Sequence, residues 1–597
     1  MVIFCIYQVL ITAARTVGGL ANMGRIEELD GELTKVIEDF DRAVNIEALR
    51  RSKETGMWLV SRCFMLSGCA EQELLLRWLK HIDTGYNRQL CCMGGTREAF
   101  LSKVVTWATD ESAQKGAGGN MFWIYGLPGI GKTSLAHSIC ARLHDRKHLA
   151  GAFFCRRDDP ILDKPENILP TLIHNLTTSF SPFRRVVARH LRNDPNVTPE
   201  SMKETLLPDL IRSLPRPPDH TLVFVIDALD ECGDTRSRPG ILKALTDTGA
   251  QAPWLRIIIT SRPEVDIQRF FDAPTLSSHF RYDLAADQEA NDDLRTFAQQ
   301  EFNLVASDWH LSTPWPDKSL FDRVISRANG LFIFIKTIAL ALDNCVDPTE
   351  SLEAALQGSA GAGVTPLYAL YSNILRARIS HSSAEFRRTI GVLLTTASYR
   401  ALCEETIAEM AGVKPNLVRK WVDGLGSLLY RDEGANGVIH VRHLSISDFF
   451  ISDECPRDYH VDLRDANIRL GIVCLTTMLD QLRFNICKLE DSRLANADIK
   501  DLHLRIRQNI SDALQYSCLY WSNHLCFSAE SDDERVWELL RKFFGGPWSL
   551  FWIEVLSLMG MVSVSIPNLR RVLSTWVKVS IINFQAAVWF HSNVILI

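Results

Sequence analysis

Apolar residues recur three and four apart along most of this chain, and a few short unbroken apolar runs interrupt that rhythm. Ile26, Leu29, Leu33, Val36, Phe40 and Ala43 fall at a/d positions of a short heptad run. Glu27, Glu28, Glu32, Lys35, Glu38, Asp39 and Arg42 flank it, which predicts an amphipathic helix that packs on its own protein or on a partner helix. Leu74, Leu75, Trp78 and Leu79 make a second apolar face. A turn at 92–98 precedes a helix over 100–107, and a glycine-rich loop covers 115–120. The runs at 122–125, 152–155, 221–226 and 255–259 have strand length, and the run at 221–226 has the composition of a buried parallel strand. Residues 281–284 read as a last short strand. Helices near 168–176, 183–191 and 202–214 lie between them, the last ended by Pro215, Pro217 and Pro218. Strands alternating with helices predict an α/β domain with a parallel sheet and helices on both faces. From Ala290 onward the rhythm is helical, so the chain as a whole is mostly α.

Length sets the scale: 597 residues exceed one core, and roughly four domains is the expectation. Composition is that of a globular protein, 46% hydrophobic and 23% charged. A formal net charge of −6 argues against a nucleic-acid partner. The 15 cysteines are scattered without a C-x-x-C pair, the distribution of reduced thiols in a cytoplasmic protein. The first fifteen residues are apolar but short for a membrane-spanning helix and lack a basic lead. A buried N-terminus is expected there, with Met23 as an alternative start. The tail 580–597 is apolar but carries Asn583, Gln585, His591, Ser592 and Asn593, so no stable membrane span is expected. No repeat period is visible.

Candidate chemistry concentrates where the first apolar run ends. Gly126, Leu127, Pro128, Gly129, Ile130, Gly131, Lys132 and Thr133 complete a G-x-x-x-x-G-K-[ST] pattern, followed by Ser134. Leu135, Ala136, Ile139, Cys140 and Leu143 then recur at helical spacing. Strand, glycine loop and helix in that order make a phosphate cradle: inward N–H groups, a helix dipole, a lysine for the β/γ-phosphates and a threonine hydroxyl for Mg²⁺. The run at 221–226 delivers Asp227, Asp230 and Glu231 at its carboxyl end, where open α/β sheets bind ligands. Asp227 suits the Mg²⁺ side, and Asp230 and Glu231 suit the orienting or activating of water. Arg262 ends the next run at the place of a terminal phosphate, which it would sense through charge-assisted bonds.

GLPGIGKT, VFVIDALDE and IIITSRP in this order resemble the NACHT subclass of STAND signalling ATPases, relatives of nucleotide-binding immune receptors. CMGGTRE, FFCRRDD, NGLFIFI, YALYSNIL and YSCLYWSNHL resemble most the NACHT modules of mushroom-type fungi, commonly joined to WD-repeats that have no counterpart here. The resemblance covers roughly residues 91–568. It implies a P-loop nucleotide-binding domain (91–285), a small helical domain (286–357), a winged helix (364–455) and a second helical domain (456–568), while the pattern makes 1–90 an N-terminal helical region and leaves the tail (569–597) unassigned. Within the winged helix it implies helices at 387–396, 403–410 and 416–425 and a wing strand at 439–442. His443, in RHLSISDFF, aligns with the M-H-D histidine that touches the ADP β-phosphate, although Arg442 and Leu444 replace its neighbours. Phe332 stands where plant-type relatives carry the adenine-contacting proline, so an apolar role is equally open to it. A winged helix also raises DNA binding, but Arg419 and Lys420 against Asp423 are thin for a groove-reading helix.

These features predict a switch that binds ATP/ADP with Mg²⁺ and slowly hydrolyses ATP. Its partners would be its own copies or other signalling proteins. The alternative is a scaffold that holds nucleotide without turnover. No [NT]-K-x-D guanine motif is present, which disfavours a GTPase.

Overall fold

The computed structural model describes residues 82, 85–110, 119–157, 159, 161–193, 206–215, 218–273, 279–287, 290–343, 345–356, 365–379, 384–432, 437–490, 496, 499–525, 534–564 and 568. The heptad run at 26–43, the apolar face at 74–79 and the tail at 569–597 lie outside these residues.

Five strands, β1 (Met121–Tyr125), β2 (Leu149–Phe154), β3 (Leu222–Asp227), β4 (Leu255–Ser261) and β5 (Phe280–Asp283), form one parallel sheet in the order β2-β3-β4-β1-β5. Successive strand residues point to opposite faces, and both faces are apolar. Phe122, Ile124, Val223, Val225 and Ile258 pack with helices α1 (Glu98–Thr109) and α2 (Lys132–Asp145). Met121, Trp123, Phe224, Ile226, Ile257 and Ile259 pack on the other side. There they meet α3 (Ile168–Ser179), α4 (Ser181–Asn193), α5 (Leu206–Arg212), α6 (Arg238–Gln251) and α7 (Val265–Phe271). This double burial explains why β3 and β4 read as unbroken apolar runs rather than alternating ones. Each fully buried aliphatic or aromatic side chain contributes about 1.5–3 kcal/mol. β2 starts at Leu149, before the expected 152, because Leu149 and Gly151 pair in the sheet across a register shift at Ala150, and Ala150 and Gly151 lack a bulky apolar signature.

The sheet sets the site. β4 lies between β1 and β3, and Tyr125 pairs with Ser261 while Phe154 pairs with Asp227. The residues following β1, β3 and β4 therefore emerge side by side at one edge.

Four helices follow: α8 (Ala290–Asp308), α9 (Lys318–Ala328), α10 (Phe332–Leu342) and α11 (Pro348–Leu356). Helix α12 (Pro366–Arg378) leads to a helix–hairpin module. It holds α13 (Ala384–Ala397), α14 (Glu404–Ala411), α15 (Pro415–Gly424), the antiparallel pair β6 (Leu429–Asp432) and β7 (Val438–Val441), and α16 (Leu444–Ile451). A last helical group holds α17 (Leu463–Gln481), α18 (Leu502–Asn509), α19 (Asp512–Leu525), α20 (Glu534–Gly545) and α21 (Trp548–Leu558). One apolar core runs from the α1/α2 face of the sheet through all of these. Inside the last group His524 is fully buried, bonded to Asn467 Oδ1 and to the Tyr516 hydroxyl, both at 2.8 Å. Among the described residues no helix is long and apolar enough to cross a membrane.

Candidate nucleotide site

Residues 126–131 join β1 to α2. Gly129 and Gly131 have φ of +81° and +97°, a left-handed backbone that side chains resist. At Gly129 a side chain is excluded twice, since its Cβ would overlap Ile333. Ile333, in the first turn of α10, also donates its N–H to Gly129 O at 3.2 Å. The helical region after the sheet thus rests directly on the loop.

Lys132 Nζ donates to Gly126 O at 2.8 Å and to Leu127 O at 3.0 Å, so its ammonium lies over the loop. Burial draws its pKa down, opposed by Asp230 and Asp227. Thr133 and Ser134 follow on the first turn of α2. The buried Asp227 carboxylate accepts from Thr260 Oγ1 at 2.5 Å. Burial raises its pKa, while bonds from the Thr260 and Thr133 hydroxyls pull it down. Thr260 in turn accepts from the N–H of Ala228, a left-handed residue with φ of 52°, at 3.0 Å. Thr133 and Asp227 thus converge as an all-oxygen pair, the donor type that suits Mg²⁺ beside phosphate oxygens.

Asp230 is 4% exposed. Its Oδ1 accepts from Arg262 N at 2.8 Å, and its Oδ2 lies 3.3 Å from Arg262 Nε. Glu231 is half-buried and its Oε2 accepts from Arg157 N at 3.4 Å. Burial, then the charges of Asp230 and Asp227, push the Glu231 carboxyl up to about 7. A carboxyl poised there is suited to proton transfer near neutral pH.

Arg262 lies at the expected strand end, but its guanidinium is occupied by carboxylates. Besides Asp230, Nη1 sits 2.8 Å from Asp448 Oδ2 on α16. Arg157, after β2, reaches the same carboxylate, with Nη1 3.6 Å from Oδ1. The helix–hairpin module is thereby pinned to the edge where β3 and β4 end.

His443 comes to the same place. It caps α16, its Nδ1 accepting from Ser445 N at 3.1 Å and lying 2.6 Å from Ser445 Oγ. An acceptor Nδ1 leaves the ring proton on Nε2. The Tyr371 hydroxyl, from α12, meets Ser445 Oγ at 2.8 Å. Cε1 of His443 is 3.9 Å from the position a Cβ on Gly129 would take. Burial, with repulsion from Lys132 and Arg262, holds the His443 pKa down at about 4. The imidazole is neutral at physiological pH and presents a donor beside the phosphate loop.

Phe332 is half-buried against Phe297, with ring centroids 5.3 Å apart, and lies under the Arg97 guanidinium at 5.4 Å. Arg97 is 5% exposed and pairs with Asp287 at 2.7 Å. Phe332 therefore joins the segment before β1 to α10.

The sequence-predicted residues 126–134, Asp227, Asp230, Glu231, Arg262 and His443 are all brought to this one edge. Asp448, Arg157 and Ile333 carry no role in the sequence reading. The signal for Asp448 was its position one turn beyond His443 in RHLSISDFF; that for Arg157 was a basic pair directly after a strand.

No curated protein matches this chain. Residues 95–262 match the family model described as Nephrocystin 3, N-terminal. Among solved structures, a STAND protein with a tetratricopeptide repeat sensor from Pyrococcus horikoshii is 14% identical, with a TM-score of 0.35, over 86% of this chain and 68% of that one. The ORC2 protein of Aeropyrum pernix is 13% identical over 67% of this chain and 99% of that one, with a TM-score of 0.27. Cdc6p of Pyrobaculum aerophilum is 10% identical over 66% and 96%, also with a TM-score of 0.27. The family-model match spans the phosphate loop, Asp227 and Arg262, so residues 95–262 are similar to this NACHT-related P-loop family.

Proposed function

We propose that this protein is a nucleotide-dependent signalling switch that holds ADP–Mg²⁺ in a closed arrangement, exchanges it for ATP and hydrolyses ATP slowly. The loop amides of residues 126–131, Lys132 and Ser134 take the phosphates. Thr133 and Asp227 hold Mg²⁺, which neutralises phosphate charge when bound. Asp230 and Glu231 orient and activate water. Residues 384–451 act as a winged helix whose His443 donates from Nε2 to the β-phosphate.

The observation that carries this reading is the Arg262–Asp448 ion pair. Arg262 stands where a terminal phosphate would place its charge, and in the closed arrangement a carboxylate from another module takes that charge instead. ATP and Asp448 then compete for one guanidinium, which supplies the differential contact a two-state switch requires. Release of the module would expose a surface for self-assembly or for another signalling protein. The described cysteines are all free thiols, in keeping with a cytoplasmic setting.

Mass analysis of the nucleotide that copurifies with the protein is the test. ADP is expected. A preparation that carries no adenine nucleotide and binds neither ATP nor ADP in calorimetry overturns the reading. Tight binding with no turnover favours the non-catalytic scaffold.

A further inference from the structure

Glu231 is faced by Asp227 and Asp230 on its own segment, Lys132 on α2, Arg262 after β4, Arg157 after β2 and the neutral Cys155 thiol beside it. Among the described residues its carboxylate accepts from the main-chain N–H of Arg157, at 3.4 Å. A carboxylate bonded sideways to the β2 turn is turned toward that turn, whereas a general base must aim an oxygen at the attacking water. The turn is itself tethered, because the Arg157 guanidinium reaches Asp448 on α16, 3.6 Å away. Arg262 holds the other oxygen of Asp448. One carboxylate on the helix–hairpin module therefore restrains two strand ends, and one of them restrains Glu231.

We propose that Arg157 is a positioning residue that withholds Glu231 from water while Asp448 is docked, so that hydrolysis is released only when the helix–hairpin module leaves. This rests on the nucleotide-switch reading and names a control on its hydrolytic step. The Arg157 side chain is 44% exposed, so its replacement leaves the core intact.

The test measures kcat and KM for Mg·ATP in the full chain and in Arg157→Ala, Arg157→Lys, Asp448→Ala and the Arg157→Ala/Asp448→Ala double variant. Arg157→Ala is expected to raise kcat roughly two- to fivefold, the scale of a half-exposed ion pair, with KM unchanged. Arg157→Lys keeps the tether and the parent rate. Asp448→Ala raises kcat at least as much, and the double variant goes no higher than Asp448→Ala alone, because both changes cut one tether. An unchanged or lowered kcat in Arg157→Ala overturns the proposal, as does a double variant whose gain is the product of the single gains. If no variant hydrolyses ATP, the restraint is also refuted. Calorimetric binding of ATP and ADP to the same samples then decides separately whether the switch reading stands.

Discussion

Arg262 and Asp448 are 186 positions apart in sequence, yet Nη1 of one lies 2.8 Å from Oδ2 of the other. Both side chains are 18% exposed, so the pair is shielded from solvent without being fully desolvated. Such a pair holds two modules together and still breaks when a stronger anion arrives. Asp448→Asn is expected to shift nucleotide preference toward ATP by roughly 5–150-fold, the range of an allosteric coupling. Dissociation constants for ADP and ATP, measured on the same variant, check it. An unchanged ratio means the ion pair is structural only.

His443→Ala removes the donor beside Gly129. ADP affinity is expected to fall more than ATP affinity and spontaneous nucleotide exchange to accelerate, by roughly 1–3 kcal/mol of coupling. Stopped-flow release of a fluorescent ADP analogue reads the exchange rate. Equal weakening of both nucleotides would make His443 a packing residue.

Lys132→Ala leaves the phosphates without their ammonium. The expected loss is about 1.5–3 kcal/mol of nucleotide binding, the scale of a hydrogen bond to a charged group. Calorimetry with Mg·ATP measures it, and full affinity in the variant would remove the loop from the working site.

Hydrolysis should rise with pH through neutrality. The Glu231 carboxyl, raised to about 7, is ionised above that pH and able to accept a proton, and is neutral below it. Glu231→Gln should bind ATP as the parent does, turn it over more slowly and lose the rise in rate between pH 6 and 8. A variant with the parent's pH–rate profile would move the role to Asp230.

Acid should destabilise the fold well above the carboxylate range. Burial holds His524 at about 3, against an ordinary 6.5 in the unfolded chain. The neutral ring donates one bond and accepts the other, so this contribution is complete above pH 6.5 and is lost as pH falls toward 3. Thermal melts at pH 7.5 and 5 should differ less in His524→Gln than in the parent. Equal losses would place the acid sensitivity elsewhere.

The sheet and its phosphate loop were legible because they depend on near neighbours. An apolar run, a glycine pattern and a helical stripe all lie within residues 121–145, and β3 and β4 announce themselves by burial on both faces. Three of the four helices of the helix–hairpin module fall within three residues of the bounds that the resemblance implies. The start of β2 was hidden because Ala150 and Gly151 carry no apolar bulk. Asp448, Arg157 and Ile333 were hidden for a different reason. A carboxylate on an amphipathic helix looks like solvated surface until the strand ends facing it are known. Phe332 drew attention as the residue replacing a proline, and it lies by the loop, with Cδ2 4.0 Å from where a Cβ on Gly131 would stand, while the next residue, Ile333, would overlap a Cβ on Gly129. Which side chains at the start of α10 meet the loop is a tertiary fact that no sequence period fixes.

The strand order also imposes a chronology on the growing chain. β1 is made early, but its neighbours in the sheet are β4 and β5, and Tyr125 meets its partner only when Ser261 has emerged. The phosphate loop therefore waits, complete in sequence and unsupported in space, for more than a hundred residues of synthesis. Long-range parallel pairing of this kind forms late. Under the proposed nucleotide role, a ribosome-stalled chain ending before residue 261 should fail to retain nucleotide, because the strand that supports the loop is not yet beside β1.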